Sequence, residues 1–459
     1  MTLTAVAAPA RRFRRPPQRT GKRYLIRTFG CQMNDHDSER IAGMLAADGM
    51  APTTDPASAD VIFINTCTIR ENADNRLYGN LGQLKALKDT NPELLLVVGG
   101  CAAQKDRDLV RTKAPWVDVV MGTHNLDRVL DLLDHADHWG PITEIVDELQ
   151  AMPSSLPVKR EVAHSAWVSI QVGCNNTCTF CIVPAVRGQE VSRRPGDIIR
   201  EVEGLAGCGV VEVSLLGQNV NTYGRDLALD GRHRPLFADL LRRVGGVDGI
   251  RRVRFTSPHP ADFREDVALA MAETPAVCEQ LHLPLQSGSD RVLARMHRGY
   301  NLERYMAKLD LARQLIPDLS VSTDIIVGVP GETEEDFEMT LAAVAQARYD
   351  HAFTFIFSPR PGTAAATLTD QFVPERQAQE RFQRLIELQA RISLERNRDL
   401  IGQRVEVLCE GPSKKDPGMA ATRTRGGKLL HLSGTFPPGA FLQADVVGAA
   451  PHHLLGRVA

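Results

Sequence analysis

Three cysteines within eight residues, Cys174, Cys178 and Cys181 in the run Gly-Cys-Asn-Asn-Thr-Cys-Thr-Phe-Cys, constrain this chain more than anything else in it. The spacing is C-x3-C-x2-C, and a short loop of that kind can wrap three thiolates around one face of a cubane iron–sulfur cluster. No fourth cysteine follows at matching spacing. A fourth would complete a purely electron-transferring cluster; without it, one iron is left open to a molecule that reacts. A structural zinc site is the competing reading. Zinc ligands usually come as two separated C-x2-C knuckles, and no second knuckle follows this triplet, so the spacing favours the cluster.

A chain of 459 residues exceeds one ordinary core, which predicts two to three domains. Hydrophobic residues at 43% and charged residues at 24% are those of a globular protein. No apolar run approaches the roughly 18 residues that a membrane span needs. Nine cysteines without a secretory hydrophobic segment point to a reducing compartment, the cytoplasm, where thiols serve metals rather than disulfides. Net charge is −2, so any hold on nucleic acid has to come from local patches. One such bias opens the chain: Arg11, Arg12, Arg14, Arg15, Arg19, Lys22, Arg23 and Arg27 occur with no acidic residue among them. The readings are an arm on RNA phosphate, an organellar transit peptide, or a disordered extension without a role. Pro16-Pro17 and the scarcity of serine fit a transit peptide poorly, and residues 1–22 are expected to be a disordered basic arm.

From Tyr24 the pattern changes. Tyr24–Phe29, Val61–Asn65 and Leu94–Val98 read as strands separated by helical stretches, which predicts a parallel α/β sheet over 23–148. Each strand is followed at once by a cysteine, in Gly30-Cys31-Gln-Met-Asn34, Asn65-Thr-Cys67-Thr68 and Gly99-Gly-Cys101-Ala102. Ligands of open parallel sheets bind beyond the carboxyl ends of the strands. Cys31, Cys67 and Cys101 would therefore converge on one edge. Three unrelated buried thiols are the bland alternative, but the repeated placement favours a second three-cysteine cluster.

A loose Met-Pro-Ser-Ser-Leu-Pro stretch at 152–157 precedes six strand-like runs: Ala166–Gln171, Val210–Leu216, Arg252–Thr256, Gln280–Leu285, Val321–Val327 and Ala352–Phe357. Helical segments such as Asp197–Leu205 and Glu334–Ala347 separate them. This predicts a (βα)6 partial barrel over 160–395 with its chemistry at the carboxyl ends of the strands. The cluster loop follows the first strand. Later strand ends carry Gly217-Gln218-Asn219, Ser257-Pro-His259 and Gln286-Ser-Gly288, and Asp324 lies within the fifth strand. Such loops are polar anyway, but together on one face these groups outline a cofactor and substrate pocket. A helical connector from Pro374 to about Leu400 leads to alternating runs at Gln403–Cys409 and Phe441–Val447, which predict a small β-barrel over 398–459. Lys414, Lys415, Arg423, Arg425 and Lys428 lie on its loops, opposed there only by Asp416: an RNA-phosphate patch or a solvated face.

In this order of parts the chain resembles the methylthiotransferases of the radical S-adenosylmethionine (radical SAM) superfamily, whose last module is an RNA-binding barrel named TRAM. Several segments look like the tRNA 2-methylthio-N6-dimethylallyladenosine synthases among them: Thr28-Phe-Gly-Cys-Gln-Met-Asn34, Asn65-Thr-Cys-Thr-Ile-Arg-Glu-Asn72, Phe180-Cys-Ile-Val-Pro184 with Arg187-Gly188, and Leu215-Leu-Gly-Gln-Asn-Val-Asn221. His282-Leu-Pro-Leu-Gln-Ser-Gly-Ser289, Thr323-Asp-Ile-Ile-Val-Gly328, Ser358-Pro-Arg-Pro-Gly-Thr363, Glu410-Gly-Pro-Ser-Lys-Lys415 and Thr422-Arg-Thr-Arg425 extend the likeness. Ala185 departs from it, where an aromatic residue is expected before the Arg-Gly pair.

The resemblance implies a transferase that adds a methylthio group to C2 of N6-dimethylallyladenosine next to the anticodon of tRNA, using two SAM molecules and two 4Fe–4S clusters. It implies that Cys174, Cys178 and Cys181 hold the cluster that binds SAM and cleaves it to a 5′-deoxyadenosyl radical. Cys31, Cys67 and Cys101 would hold the cluster that carries the sulfur. Gln286, Ser287 and Asp324 are expected to hold SAM with Arg187 beside it, and Lys414, Lys415, Arg423, Arg425 and Lys428 to touch RNA. The C2–H of adenine is neither acidic nor electrophilic, so no side chain is expected to serve as general acid or base; clusters and SAM carry the chemistry. Implied partners are tRNA, a flavodoxin- or ferredoxin-like electron donor and a sulfur source, with the chain a monomer. The alternatives are a sister enzyme acting on threonylcarbamoyl-adenosine or a ribosomal-protein aspartate, and a non-catalytic iron–sulfur RNA-binding protein. Cys208, Cys278 and Cys409 stand outside both sets, and replacing any of them with serine is expected to leave the iron content unchanged.

Overall fold

The structure is a computed structural model that describes residues 18–68, 71–148, 156–160, 162–227 and 233–459. It divides into two compact units, Met1–Glu161 with Ala185–Val191, and Val162–Pro184 with Ser192–Ala459.

The first unit is built on a parallel sheet of six strands: β1 (Arg23–Phe29), β2 (Ala51–Pro52), β3 (Val61–Thr66), β4 (Leu95–Gly99), β5 (Val119–Met121) and β6 (Ile142–Glu144), in the order β2-β1-β3-β4-β5-β6. Strands β3 and β4 are buried at every residue, as unbroken apolar runs must be when helices cover both faces. Ile62, Ile64, Leu96 and Val98 pack on Leu77, Leu81 and Leu84 of helix α2 (Glu71–Thr90). On the other face Val61, Phe63, Leu95 and Val97 pack on Ile41, Met44 and Leu45 of helix α1 (Gln32–Ala47). The three strands expected from sequence are present. The other three are only two or three residues long, too short to show a period.

The expected disordered arm needs a correction at its end. Arg11, Arg12, Arg14 and Arg15 lie outside the described residues, but Arg19 is buried and pairs with Asp48 at 3.0 Å, Asp134 at 2.7 Å and Asp137 at 2.8 Å. Its charge is consumed inside the fold. Most of the expected linker at 152–157 also lies outside the described residues.

In the second unit, Ser165–Ser169, Glu212–Leu216 and Arg252–Phe255 form one parallel sheet, and Gln280–His282, Ser320–Val327 and His351–Ile356 another. A single parallel bridge from Val253 to Val277 joins them, so six strands run in chain order as a partial barrel. Alternation sets the two faces. Val321, Ile325 and Val327 enter the core with Phe337 and Val344 of the helix Glu334–Ala347, while Ser322, Asp324 and Ile326 are turned to the inner face and only half-buried. The helix Glu375–Arg398 leads into a closed five-stranded barrel of Arg404–Pro412, Met419–Thr424, Leu429–Ser433, Phe441–Ala449 and Leu454–Val458. Cys409 is buried in that barrel's core, Cys278 is buried beneath the partial barrel, and Cys208 is exposed at the end of the helix Pro195–Gly207. Among the described residues no helix is long and apolar enough to cross a membrane.

Candidate functional site

In the first unit each cysteine of the first set sits at the carboxyl end of its strand. Cys31 caps the N-terminus of α1, and Cys101 begins the short helix Cys101–Asp106 behind Gly100. A pair of fully buried amides stitches the turns together: Asn34 Nδ2 donates to Asn65 Oδ1 at 3.0 Å, and Asn65 Nδ2 returns to the Asn34 carbonyl at 2.8 Å. The Cys67 amide donates to the Phe29 carbonyl at 2.8 Å, which brings that turn beside the Cys31 turn. Gly100 has φ +89, and a Cβ there would strike Asn65 Oδ1 and come within 2.8 Å of the Thr66 carbonyl oxygen, so only glycine lets the third turn close in.

The three thiols meet. Hydrogen bonds from Cys67 lower Cys31 to about 6 and Cys101 to about 7, while Cys67, between two thiolates, is driven upward. Helix N-termini favour thiolate at both outer positions. Arg187, expected beside SAM, lies against this thiol set. Its guanidinium is buried, pairs with Asp37 at 2.8 Å and hydrogen-bonds Cys101. Burial alone would lower its pKa, but the negative charge of Asp37, Cys101 and Cys31 outweighs that and raises it. Arg187 is near Cys181 in sequence, but Ala185–Val191 belongs to the first unit.

The second set lies in the loop after the strand Ser165–Ser169. Thr179 holds this loop, donating its amide to the Met296 carbonyl at 3.2 Å and its hydroxyl to the Arg295 carbonyl at 3.0 Å. The Ala365 amide donates to the Thr179 carbonyl at 2.9 Å. Cys174, Cys178 and Cys181 are each half-buried, and burial pushes the Cys181 thiol up to about 11. Among the described residues no three His, Cys, Asp or Glu side chains converge to hold a single metal ion. The donors present in each set are three thiols, the soft ligands that iron–sulfur clusters take.

Around the carboxyl ends of the barrel strands, buried polar atoms lack partners among the described residues: Gln171 Oε1, Gln218 Oε1, Asn219 Oδ1, Asn221 Oδ1, His259 Nε2 and Gln286 Oε1. Buried polar atoms are normally hydrogen-bonded, so a group of orphans at one edge marks where a polar ligand belongs. Gln286 itself holds φ +73, a left-handed backbone unusual for its type, fixed by its amide to the Asp324 carbonyl at 2.8 Å and by its carbonyl from the Ile326 amide at 3.1 Å. His259 stays neutral: burial, then the charge of Arg298, hold it down at about 3.

Two other expected SAM contacts fare differently. Ser287 is fully buried, and its hydroxyl bonds Thr340 Oγ1 at 3.2 Å and accepts from the Ser289 amide at 3.2 Å, so it helps to build the turn. Asp324 faces inward but is 3.4 Å from His282 Nε2, in a group with Phe353, a residue 47% exposed. Sequence reasoning named neither His282, although it opens a quoted motif, nor Phe353 as a site residue, because strand register is what brings them to Asp324.

The basic patch is also reduced. Arg425 forms a forked pair with Glu279 at 2.8 Å to each oxygen, and Lys428 meets Asp350 at 2.6 Å and Asn397 at 2.8 Å. Both tie the small barrel to the partial barrel, a structural use beside the expected contact with RNA. Arg423 is paired with Glu410. Lys414 and Lys415 remain exposed on the loop after Arg404–Pro412.

A six-stranded partial barrel carrying a C-x3-C-x2-C loop after its first strand is the architecture of a radical SAM protein, and the model of the Radical SAM superfamily matches residues 168–344. A model described as uncharacterized protein family UPF0004 matches residues 23–122, the sheet with the first thiol set. The tRNA-2-methylthio-N(6)-dimethylallyladenosine synthase of Mycolicibacterium vanbaalenii is 55% identical over 450 residues, covering 96% of this chain and 88% of that one. Its namesake in Nocardia farcinica is 55% identical over 443 residues, covering 94% and 88%. The chain belongs to the family of tRNA-2-methylthio-N(6)-dimethylallyladenosine synthases. Among solved structures, the radical S-adenosylmethionine methyltransferase TsrM from Kitasatospora setae, with cobalamin and a 4Fe-4S cluster bound, has a TM-score of 0.53 at 14% identity. It covers 75% of this chain and 77% of that one, a likeness of fold alone.

Proposed function

We propose that this protein transfers a methylthio group to C2 of N6-dimethylallyladenosine next to the anticodon of tRNA, with two 4Fe–4S clusters and SAM as cofactors. The observation that carries this is the meeting of Cys31, Cys67 and Cys101 at one sheet edge, in a chain that already has a radical SAM loop. SAM cleavage alone needs one cluster; insertion of sulfur needs a second place to hold it.

Bound at Cys174, Cys178 and Cys181, a cluster and SAM supply the one-electron chemistry that an unactivated aromatic C–H requires. The chain's own part is binding and orientation. Gln171, Asn219, His259 and Gln286 offer buried, unpartnered polar atoms to SAM and the base. Phe353 offers an exposed ring face of the kind on which nucleobases stack, beside the His282–Asp324 pair. At the first set, Arg187 supplies a buried positive charge against anionic sulfur. Of the five basic residues expected to touch RNA, Lys414 and Lys415 have no ion pair among the described residues and are exposed to meet phosphate. We infer further that a flavodoxin- or ferredoxin-like donor and an external sulfur source serve a cytoplasmic monomer.

Iron and sulfide content after anaerobic reconstitution tests the reading. Wild type should hold about eight irons, and Cys→Ala triples at either set about four. Full iron retention in the Cys31, Cys67, Cys101 triple would remove the second cluster and with it the sulfur insertion. Nucleoside analysis of the product then separates this reaction from one on threonylcarbamoyl-adenosine.

A further inference from the structure

Arg298 reaches the second thiol set from 120 residues away and donates Nη1–H to Cys178 Sγ at 3.2 Å. Cys178 Sγ stands here for a cluster-bound thiolate. The guanidinium is 5% exposed, and its Nε–H donates to Tyr300 Oη at 3.1 Å. The Tyr300 hydroxyl in turn donates toward the carbonyls of Pro284 and Leu285, both at 2.9 Å. No carboxylate pairs with Arg298 among the described residues, whereas Arg187 at the other set is matched by Asp37. An unmatched buried guanidinium is costly, so its counter-charge has to be the sulfur it touches.

The local backbone is shaped to deliver it. His297 at φ +56 and Gly299 at φ +71 bracket Arg298 with two left-handed residues, and its amide is fixed to the Leu293 carbonyl at 3.0 Å. The same short stretch grips the cluster loop through Thr179.

We infer that Arg298 is a positioning residue that raises the reduction potential of the cluster held by Cys174, Cys178 and Cys181. A fixed positive charge and a donor to ligand sulfur both favour the state that carries one more electron. The inference rests on the reading of those three cysteines as cluster ligands. It assigns Arg298 to electron entry, a different duty from holding SAM or substrate.

The test is an EPR-monitored redox titration of full-length reconstituted protein carrying the Cys31, Cys67, Cys101→Ala triple, so that a single cluster is read. Arg298→Lys keeps the charge; Arg298→Gln removes it and keeps a donor. With iron retained, the Gln variant should be at least tenfold harder to reduce than the Lys variant, a downward shift of about 59 mV or more for a one-electron couple. Loss of iron from the Gln variant alone would also support the charge–sulfur contact. Equal potentials with full iron, or loss of iron from both variants, would overturn it. Absence of iron from the parent triple would instead sink the cluster reading itself.

Discussion

Asp37 and Arg187 show what a single charge does in this fold. Both are buried, and removing Asp37 leaves a guanidinium whose remaining partners are thiols. Asp37→Ala should cost about 3–5 kcal/mol in denaturant unfolding of the cluster-free protein; a loss under 1 kcal/mol would show that the thiolates alone hold Arg187. His259 predicts a pH dependence. Burial and then the charge of Arg298 hold it at about 3, whereas the unfolded chain takes up a proton below about 6.5. Between those values the unfolded state binds more protons, so stability falls as pH drops, by up to about 1.4 kcal/mol per unit. His124, held down at about 4 by burial and then Arg187, acts in the same direction. His259→Gln should flatten the fall between about pH 6 and 4; an unchanged slope would place the proton uptake elsewhere. The places of the six cysteines in the fold were legible because their spacing and their strand ends are local facts. Arg298 and His282 were not, since one lies 120 residues from its sulfur and the other meets Asp324 only through strand register.

At the scale of elements, the motif Gln286-Ser287-Gly288 also serves architecture. The Gly288 amide donates to Thr340 Oγ1 at 2.9 Å, and a Cβ on Gly288 would come within 2.5 Å of the Met339 carbonyl oxygen and 2.6 Å of Thr340 Cα. The turn lies directly against the helix Glu334–Ala347, with no room for a methyl group. Gly288→Ala should therefore lower stability by about 1–3 kcal/mol, read as a fall in melting temperature, because backbone must move to admit it. A melting point equal to wild type would mean that the helix yields freely. Polar residues at a strand end announce a functional loop in sequence, but which of them face the ligand and which build the turn depends on the helix that follows. Gln286 keeps an unpartnered oxygen; Ser287 does not.

At the scale of the molecule, the small barrel is fastened by the stretch Arg423–Arg425. Arg254 donates to the carbonyls of Thr424 at 2.9 Å and Arg425 at 2.8 Å, and Arg252 to that of Arg423 at 2.8 Å. Charge counted along the chain could not separate these residues from an RNA surface, because the carboxylates that match them, Glu279 and Asp350, lie in the preceding barrel. The two roles should divide in a salt titration of tRNA binding. Lys414→Ala and Lys415→Ala should each reduce the slope of log affinity against log salt by about 1, with melting unchanged. Arg425→Ala should lower the melting temperature and leave the slope near wild type. The opposite pattern would return Arg425 to the RNA surface.

The segment Ala185–Val191, which leaves one unit to complete the other, also bears on how the protein is made. The N-terminal unit emerges from the ribosome first, yet Asp37 has no Arg187, and Thr123 no Val186 carbonyl to bond at 2.7 Å, until residues far beyond its apparent end have been translated. The nascent unit therefore waits with an unmatched buried carboxylate. By the time its last piece arrives, Cys174, Cys178 and Cys181 have already been synthesised, so both thiol sets are in the chain before the first unit can close.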